Sequence, residues 1–219
     1  MTMITEFDKE WYKLYKAQAK LIKKTLGAAC SATYHIGSTA IKDMPARAII
    51  DILIFLYDPG AAQKLFGIGY TTNDGDTFFS KSENGIGYTV RVIEKKGGRF
   101  LEKDDYEAAA PYLAVPLYLS ENKDAAAEFA QKKRALADLD PREYANGMKQ
   151  LLDEITPVAL EYKRAADKRG TYMAIGMCLG MSIGMAIGTA LGNTAMGMCL
   201  GTSIGMCLGL ALGSNQKSK

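Results

Sequence analysis

The chain has 219 residues, enough for one domain or for a domain with an appendage. Lys and Arg number 27 against 24 Asp and Glu, for a formal net charge of +3. All the acidic residues and all but two of the basic ones precede Gly170, so that part is near neutral and lacks the basic excess of a nucleic-acid polymer binder.

The opening "MTMITEF" resembles a cloning-vector leader, and Met1–Thr5 are given no functional weight. The next stretch carries apolar residues at Phe7, Trp11, Leu14, Tyr15, Leu21, Ile22 and Leu26, which is helical spacing, with Gln18 on the stripe and Gly27 as a stop. "SATYHIGS" reads as a short strand ending at a Gly-Ser turn. "AIIDILIFLYDPG" reads as a central strand closed by Asp58-Pro59-Gly60. "AAQKLFGIG" reads as a short helix. "YTTNDGDTFFSKS" and "IGYTVRVIEKKGG" read as strands, the first with an Asn-Asp-Gly turn. Pro111 and Pro116 punctuate "AAAPYLAVPLYLSEN". Helical patterns run over 123–137 and 141–168, with Pro157 as a boundary or kink. The expected fold class is α+β.

The cysteines, Cys30, Cys178, Cys199 and Cys207, show no CxxC metal spacing, and no secretory signal opens the chain. They read as small apolar filler in a reducing, cytoplasmic setting.

Asp51 interrupts the apolar strand. A buried carboxylate is costly unless paired, hydrogen-bonded or metal-bound. It is either a strand-end residue at a sheet edge or a ligand for a divalent cation. The Gly37-Ser38 turn upstream is suited to hold a phosphate through backbone N–H groups.

Together, "YHIGSTAIKDMPARAIIDILI" resembles the signature of the GrpB family, a branch of the nucleotidyltransferase superfamily. His35, Ile36, Gly37, Ser38, Thr39 and Ala40 match, as do Ile49, Ile50, Asp51 and Ile52. The resemblance covers Glu6 to Lys168 and implies a nucleotidyltransferase-like mixed β-sheet flanked by helices (domain 6–168). It implies a nucleotide or another phosphate-bearing small molecule as ligand. Asp51 is then the catalytic residue and a Mg²⁺ ligand, Gly37 and Ser38 hold phosphate, and Arg47 neutralises it. His35, Arg91 and Glu94 are further ligand-binding candidates. The sequence also departs from the family pattern. The place two residues after Asp51, where superfamily members carry a second acid, is Leu53. Lys42 and Asp43 replace a proline-glycine pair. Arg47 and Ala48 replace lysine-proline. Thr89 and Arg91 stand where the family shows a histidine-x-histidine strand. Pro116 and Leu117 replace an arginine-aspartate pair. These changes remove acidic ligands that two-metal phosphoryl transfer uses. His35 is either a site residue or a packed strand residue.

From Gly170 to Gln216 no charge appears. Gly176, Gly180, Gly184, Gly188, Gly192, Gly197, Gly201, Gly205, Gly209 and Gly213 recur mostly at four-residue spacing, and "GMCLGMSIGM" returns as "GMCLGTSIGM". The expectation is a glycine-zipper helical hairpin over 171–213, with helices at about 172–191 and 195–212 and turn formers at Gly192, Asn193 and Thr194. Each glycine costs an isolated helix about 1 kcal/mol relative to Ala, so close helix contact has to offset it. Each half is roughly 30 Å long as helix, about a bilayer core. Lys163, Arg164, Lys168 and Arg169 before it, and Lys217 and Lys219 after it, fit two spans with both ends cytoplasmic. Two readings stand. In one the hairpin anchors the chain at the cytoplasmic face of a membrane. In the other the protein is soluble and cytoplasmic, with the glycine faces buried by homo-oligomerisation or against the first domain. A non-enzymatic self-assembly role for the tail is the alternative to ligand binding by the domain.

Overall fold

The structure is a computed structural model that describes residues 4–72, 77–98 and 101–215. It separates into two compact units, Met1–Leu160 and Glu161–Lys219.

The first unit opens with α1 (Glu10–Leu26) and β1 (Cys30–Ile36). β2 (Ile49–Leu56) leads into a 3₁₀ helix over Pro59–Ile68, where the pattern reads as a short helix. β3 (Thr71–Thr72), β4 (Phe78–Glu83) and β5 (Ile86–Glu94) follow, then α2 (Lys103–Glu121), α3 (Lys123–Ala135) and α4 (Pro141–Ala190). The fold is mixed α+β. The sheet order is β1-β2-β5-β4-β3, with β2 and β5 parallel and the other neighbours antiparallel.

β2 is nearly all apolar because it is covered on both faces. Ile50, Ile52, Ile54 and Leu56 join Trp11, Ile22 and Leu26 of α1 in one core cluster. Leu53 and Phe55 point the other way and pack with Ile36 and with Ala109 of α2. Gln18 is buried on the apolar stripe of α1, where its Oε1 accepts from the Tyr70 hydroxyl at 3.5 Å. Thr5, within the stretch given no weight, pairs through its backbone with Ala46.

The strong turn is Asn84-Gly85, between β4 and β5. Its φ values of 51° and 78° are those of a two-residue type I′ hairpin. The expected Asn-Asp-Gly turn at 73–75 lies outside the described residues.

Pro111 and Pro116 do not interrupt α2. Each removes a backbone donor and costs a helix interior about 3 kcal/mol. A capping box starts the helix, with Glu102 and Asp105 each accepting a backbone N–H of the other's end. Burial of Ala109, Ala114, Val115 and Leu119 then outweighs the loss. Pro157 likewise lies inside α4, without a boundary there.

The second unit holds the C-terminal part of α4 and α5 (Thr194–Asn215). The turn between them uses Gly192 at φ 75°, and the Asn193 side chain caps α5 by accepting from Met196 N–H at 3.0 Å. The two helices run antiparallel at backbone contact. A methyl group added at Gly180 would strike the Gly201 carbonyl and sit 2.8 Å from Gly205 Cα, and Gly184 meets Gly197 and Gly201 in the same way. Leu179, Ile183, Leu200 and Ile204, among other aliphatic residues, stay more than half exposed. The two helices are long and apolar enough to cross a membrane.

Candidate functional site

The site follows from strand register. Ile36 of β1 and Thr89 of β5 flank Asp51 on β2, so all three share a sheet face. Arg91, two residues beyond Thr89, shares it too. β2 is paired on both sides, so Asp51 is not at an edge. That face opens into a cavity of about 650 Å³ within the first unit, closed by α2, α3 and the N-terminal part of α4.

Asp51 is held from two sides. The Thr89 hydroxyl donates to its Oδ1 at 2.6 Å. The other oxygen occupies the space a side chain at residue 37 would need, since a Cβ at Gly37 would collide with Oδ2. Gly37 has φ 71° and ψ −171°, a conformation nearly reserved for glycine. Burial pushes the Asp51 carboxyl above the usual carboxylate range. The Thr89 hydrogen bond and the charges of Arg47, Lys133 and Arg91 oppose that rise.

Ser38, next in the chain, accepts a hydrogen bond of 2.6 Å from the Lys133 ammonium of α3. Lys133 is only 2% exposed. Burial, with Arg47 nearby, lowers its pKa to about 8, and Asp51 works in the opposite direction. Sequence reasoning missed this lysine because it lies in the charged run Lys132-Lys133-Arg134. The available signal was spacing: Lys133 falls four residues after Phe129 and three after Ala130, on the buried face of α3.

The two arginines are oriented by rings. Arg47 lies 5.2 Å from the centroid of Tyr144. Arg91 sits between Phe78 at 5.1 Å and Tyr112 at 4.8 Å. The loop before Arg47 keeps a glycine-like bend, because Asp43 has φ 61° where the family has its proline-glycine pair. That left-handed conformation costs a non-glycine residue about 1 kcal/mol.

Two candidates lie elsewhere. His35 pairs with Ile52 and so faces the α1 side of the sheet, where it stacks on Tyr15 at 4.6 Å. Its Nε2 is 3.1 Å from Thr39 Oγ1, which donates to the Ile49 carbonyl at 2.9 Å. The Thr39 proton is thereby committed, so Nε2 carries the imidazole proton. Burial lowers the His35 pKa to about 4. His35 braces the loop over 37–40 from behind. Glu94 pairs with Leu56 on the α1 side too and is exposed, outside the cavity.

The residues present do not fit the Mg²⁺ that the nucleotidyltransferase resemblance implies. Leu53 is buried in the core where a second carboxylate would stand. Among the described residues no group of three His, Cys, Asp or Glu side chains could hold a metal. Asp51 already accepts a hydrogen bond from Thr89, and the charges acting on it are positive.

Residues 2–157 match the family described as GrpB protein. The UPF0157 protein BH1888 of Halalkalibacterium halodurans is 32% identical over 91 residues, 42% of this chain and 40% of that protein. The UPF0157 protein YqkA of Bacillus subtilis is 28% identical over 171 residues, 72% of this chain and 47% of that protein. The chain thus spans less than half the length of these two relatives. The glutamate-rich protein GrpB of Alkalihalophilus pseudofirmus is 24% identical over 170 residues, 70% of this chain and 92% of that protein. In fold, the chain is similar to the crystal structure of the conserved protein GrpB from Enterococcus faecalis, with a TM-score of 0.64 at 22% identity, covering 74% of this chain and 99% of that one. With the family match spanning well over half its length, this chain belongs to the GrpB family.

Proposed function

We propose that the first unit binds a phosphate-bearing small molecule, a nucleotide foremost, and that the second unit anchors it at the cytoplasmic face of a membrane. The observation that carries the first part is the charge balance of the cavity. Arg47, Arg91, Lys133 and Lys149 line it against Asp51 and Asp153. A concave site with an excess of cations and aromatic walls suits an anion carrying a ring. Its sheet, with Gly37-Ser38 after β1 and Asp51 within β2, reads as nucleotidyltransferase-like. The role is binding without transfer, because the acidic ligands of that reaction are missing.

The second part rests on exposed apolar surface. So much bare Ile, Leu and Met is untenable in water and ordinary in lipid. The polar groups of these helices are satisfied internally. Ser182 donates to the Cys178 carbonyl, Thr189 to Met185, Thr202 to Met198 and Ser203 to Cys199, each at 2.7 to 2.9 Å. The glycine-zipper hairpin uses its glycine faces within one chain. The small face that includes Cys178, Ser182 and Ser203 remains outward, and it supports the second reading, self-association of hairpins.

Thermal-shift measurements with ATP, GTP and inorganic phosphate, on wild type and Arg47→Ala, test the cavity; vesicle flotation tests the anchor. Stabilisation by these anions that Arg47→Ala diminishes, together with flotation, is expected. An indifferent melting temperature sinks the ligand reading, and a full-length chain that stays at the bottom of the gradient sinks the anchor.

A further inference from the structure

Phosphate sites in mixed sheets of this kind need positive charge, and a bound divalent cation is one way to supply it. Here the donor set argues for another way. Asp51 lines the cavity as a single carboxylate: its Oδ1 accepts from Thr89, and its Oδ2 lies against Gly37. Its neighbours on the same sheet face are an apolar residue, Leu53, and a cation, Arg91, neither of which can ligate a metal ion. A divalent ion would have to enter a field already made by Arg47, Arg91 and Lys133.

Lys133 brings a fixed ammonium to the same place. It comes from α3 to the Gly37-Ser38 turn, and its Nζ donates one hydrogen to Ser38 Oγ at 2.6 Å. An ammonium has three donors and a serine hydroxyl one, so this bond leaves the Ser38 proton free to point at a ligand. An ammonium taken out of water needs an anion nearby, and Asp51 is felt only through its charge, without a direct ion pair among the described residues.

We propose that Lys133 holds the place of the divalent cation, so that the cavity binds a phosphate ester without metal, its phosphate received by the Lys133 ammonium, the Ser38 hydroxyl and the Arg47 guanidinium. Asp51 is then a positioning residue that fixes Thr89 and balances Lys133. This inference rests on the phosphate-ligand reading and extends it.

The test is calorimetric titration of ATP into the full chain in detergent micelles, once with EDTA and once with Mg²⁺, for wild type, Lys133→Met and Asp51→Asn. Wild type is expected to bind at least as tightly with EDTA. Lys133→Met is expected to lose roughly tenfold or more, the size of a charge-assisted hydrogen bond. Asp51→Asn, whose amide oxygen still accepts from Thr89 while the negative charge beside the anion is gone, is expected to bind several-fold more tightly with EDTA. Binding that appears only with Mg²⁺ and disappears in Asp51→Asn overturns this inference while the phosphate-ligand reading stands. Binding with EDTA that Lys133→Met leaves untouched also overturns it. Absence of saturable binding in both conditions, with inorganic phosphate as with ATP, overturns both readings. The wild-type comparison holds its meaning even if Lys133→Met does not fold.

Discussion

Across 95 positions of sequence, the ammonium of Lys133 donates to the hydroxyl of Ser38 at 2.6 Å. The contact fixes α3 against the turn after β1 and carries a cost. The folded pKa of Lys133, about 8, is below its unfolded value near 10.5. Between these values the unfolded chain binds more protons, so stability rises with pH over that window and is lowest below pH 8. The gain relative to Lys133→Met is expected to reach about 2–3 kcal/mol by pH 10.5. Denaturant melts followed by the fluorescence of Trp11, the only tryptophan and 3% exposed, read it. Parallel pH profiles of the two proteins would refute it.

His35 gives the opposite end of the pH scale. Its folded pKa, about 4, lies below the unfolded 6.5, so its contribution is complete above pH 6.5 and is lost as pH falls toward 4. Because the ring is partly exposed, the loss is on the order of 1–2 kcal/mol. His35 is the only histidine, so His35→Gln should flatten the profile between pH 6.5 and 4.5 relative to wild type, over a carboxylate background common to both proteins. A variant as acid-sensitive as wild type in that window would count against the packed, neutral imidazole.

Gly37→Ala should be severe for so small a change. The added methyl collides with the Asp51 carboxylate, and φ 71° is strained for any L-residue. Loss of at least about 2 kcal/mol is expected, together with loss of ligand binding. An Ala variant that melts like wild type would show that the carboxylate does not need the space left by Gly37.

Lys95 and Asp105 form a buried ion pair at 3.3 Å, with side chains 0% and 1% exposed. Burial alone would raise the Asp105 pKa. N–H groups of Glu102 and Lys96 and the Lys95 ammonium outweigh it and hold the carboxyl below its usual range. Asp105→Ala should cost about 3–5 kcal/mol, because it strands Lys95 and removes the α2 cap. Lys95→Met added to it should recover part of that loss. Additive losses in this cycle would show that the two residues do not depend on each other.

In the second unit, leucines at Gly180 and Gly205 should push the helices apart by about 2–3 Å, toward ordinary spacing. Spin labels on Cys178 and Cys207, with Cys30 and Cys199 replaced by Ala, report it. A narrow, short distance distribution should broaden and lengthen. An unchanged distribution would mean that the glycines are not the contact.

Much of the first unit was legible in the sequence where pattern and burial agree, as in the stripe of α1 or the apolar run of β2. α2 was obscured because Pro111 and Pro116 argue locally against helix, and the burial that overrides them is not local. Asn84-Gly85 was legible and overlooked in favour of an Asn-Asp-Gly sequence. In the site, Asp51, Arg47 and Arg91 were visible as polar residues in or beside strands. Lys133 was not, and Thr89 stood out only as a departure from the family pattern, not as the partner of Asp51. Their roles come from α3 and β5 meeting β2, and a lysine in a charged run looks like solvated surface.

One measurement bears most directly on the central claim, that the cavity over Asp51 receives a phosphate-bearing ligand. It is equilibrium dialysis of labelled ATP against the full chain in detergent, for wild type and for Arg47→Ala combined with Lys133→Met. Saturable binding of one ATP per chain, weakened at least about a hundredfold in the double variant, is the predicted result. No saturable binding to wild type, or an equal affinity in the double variant, would contradict it.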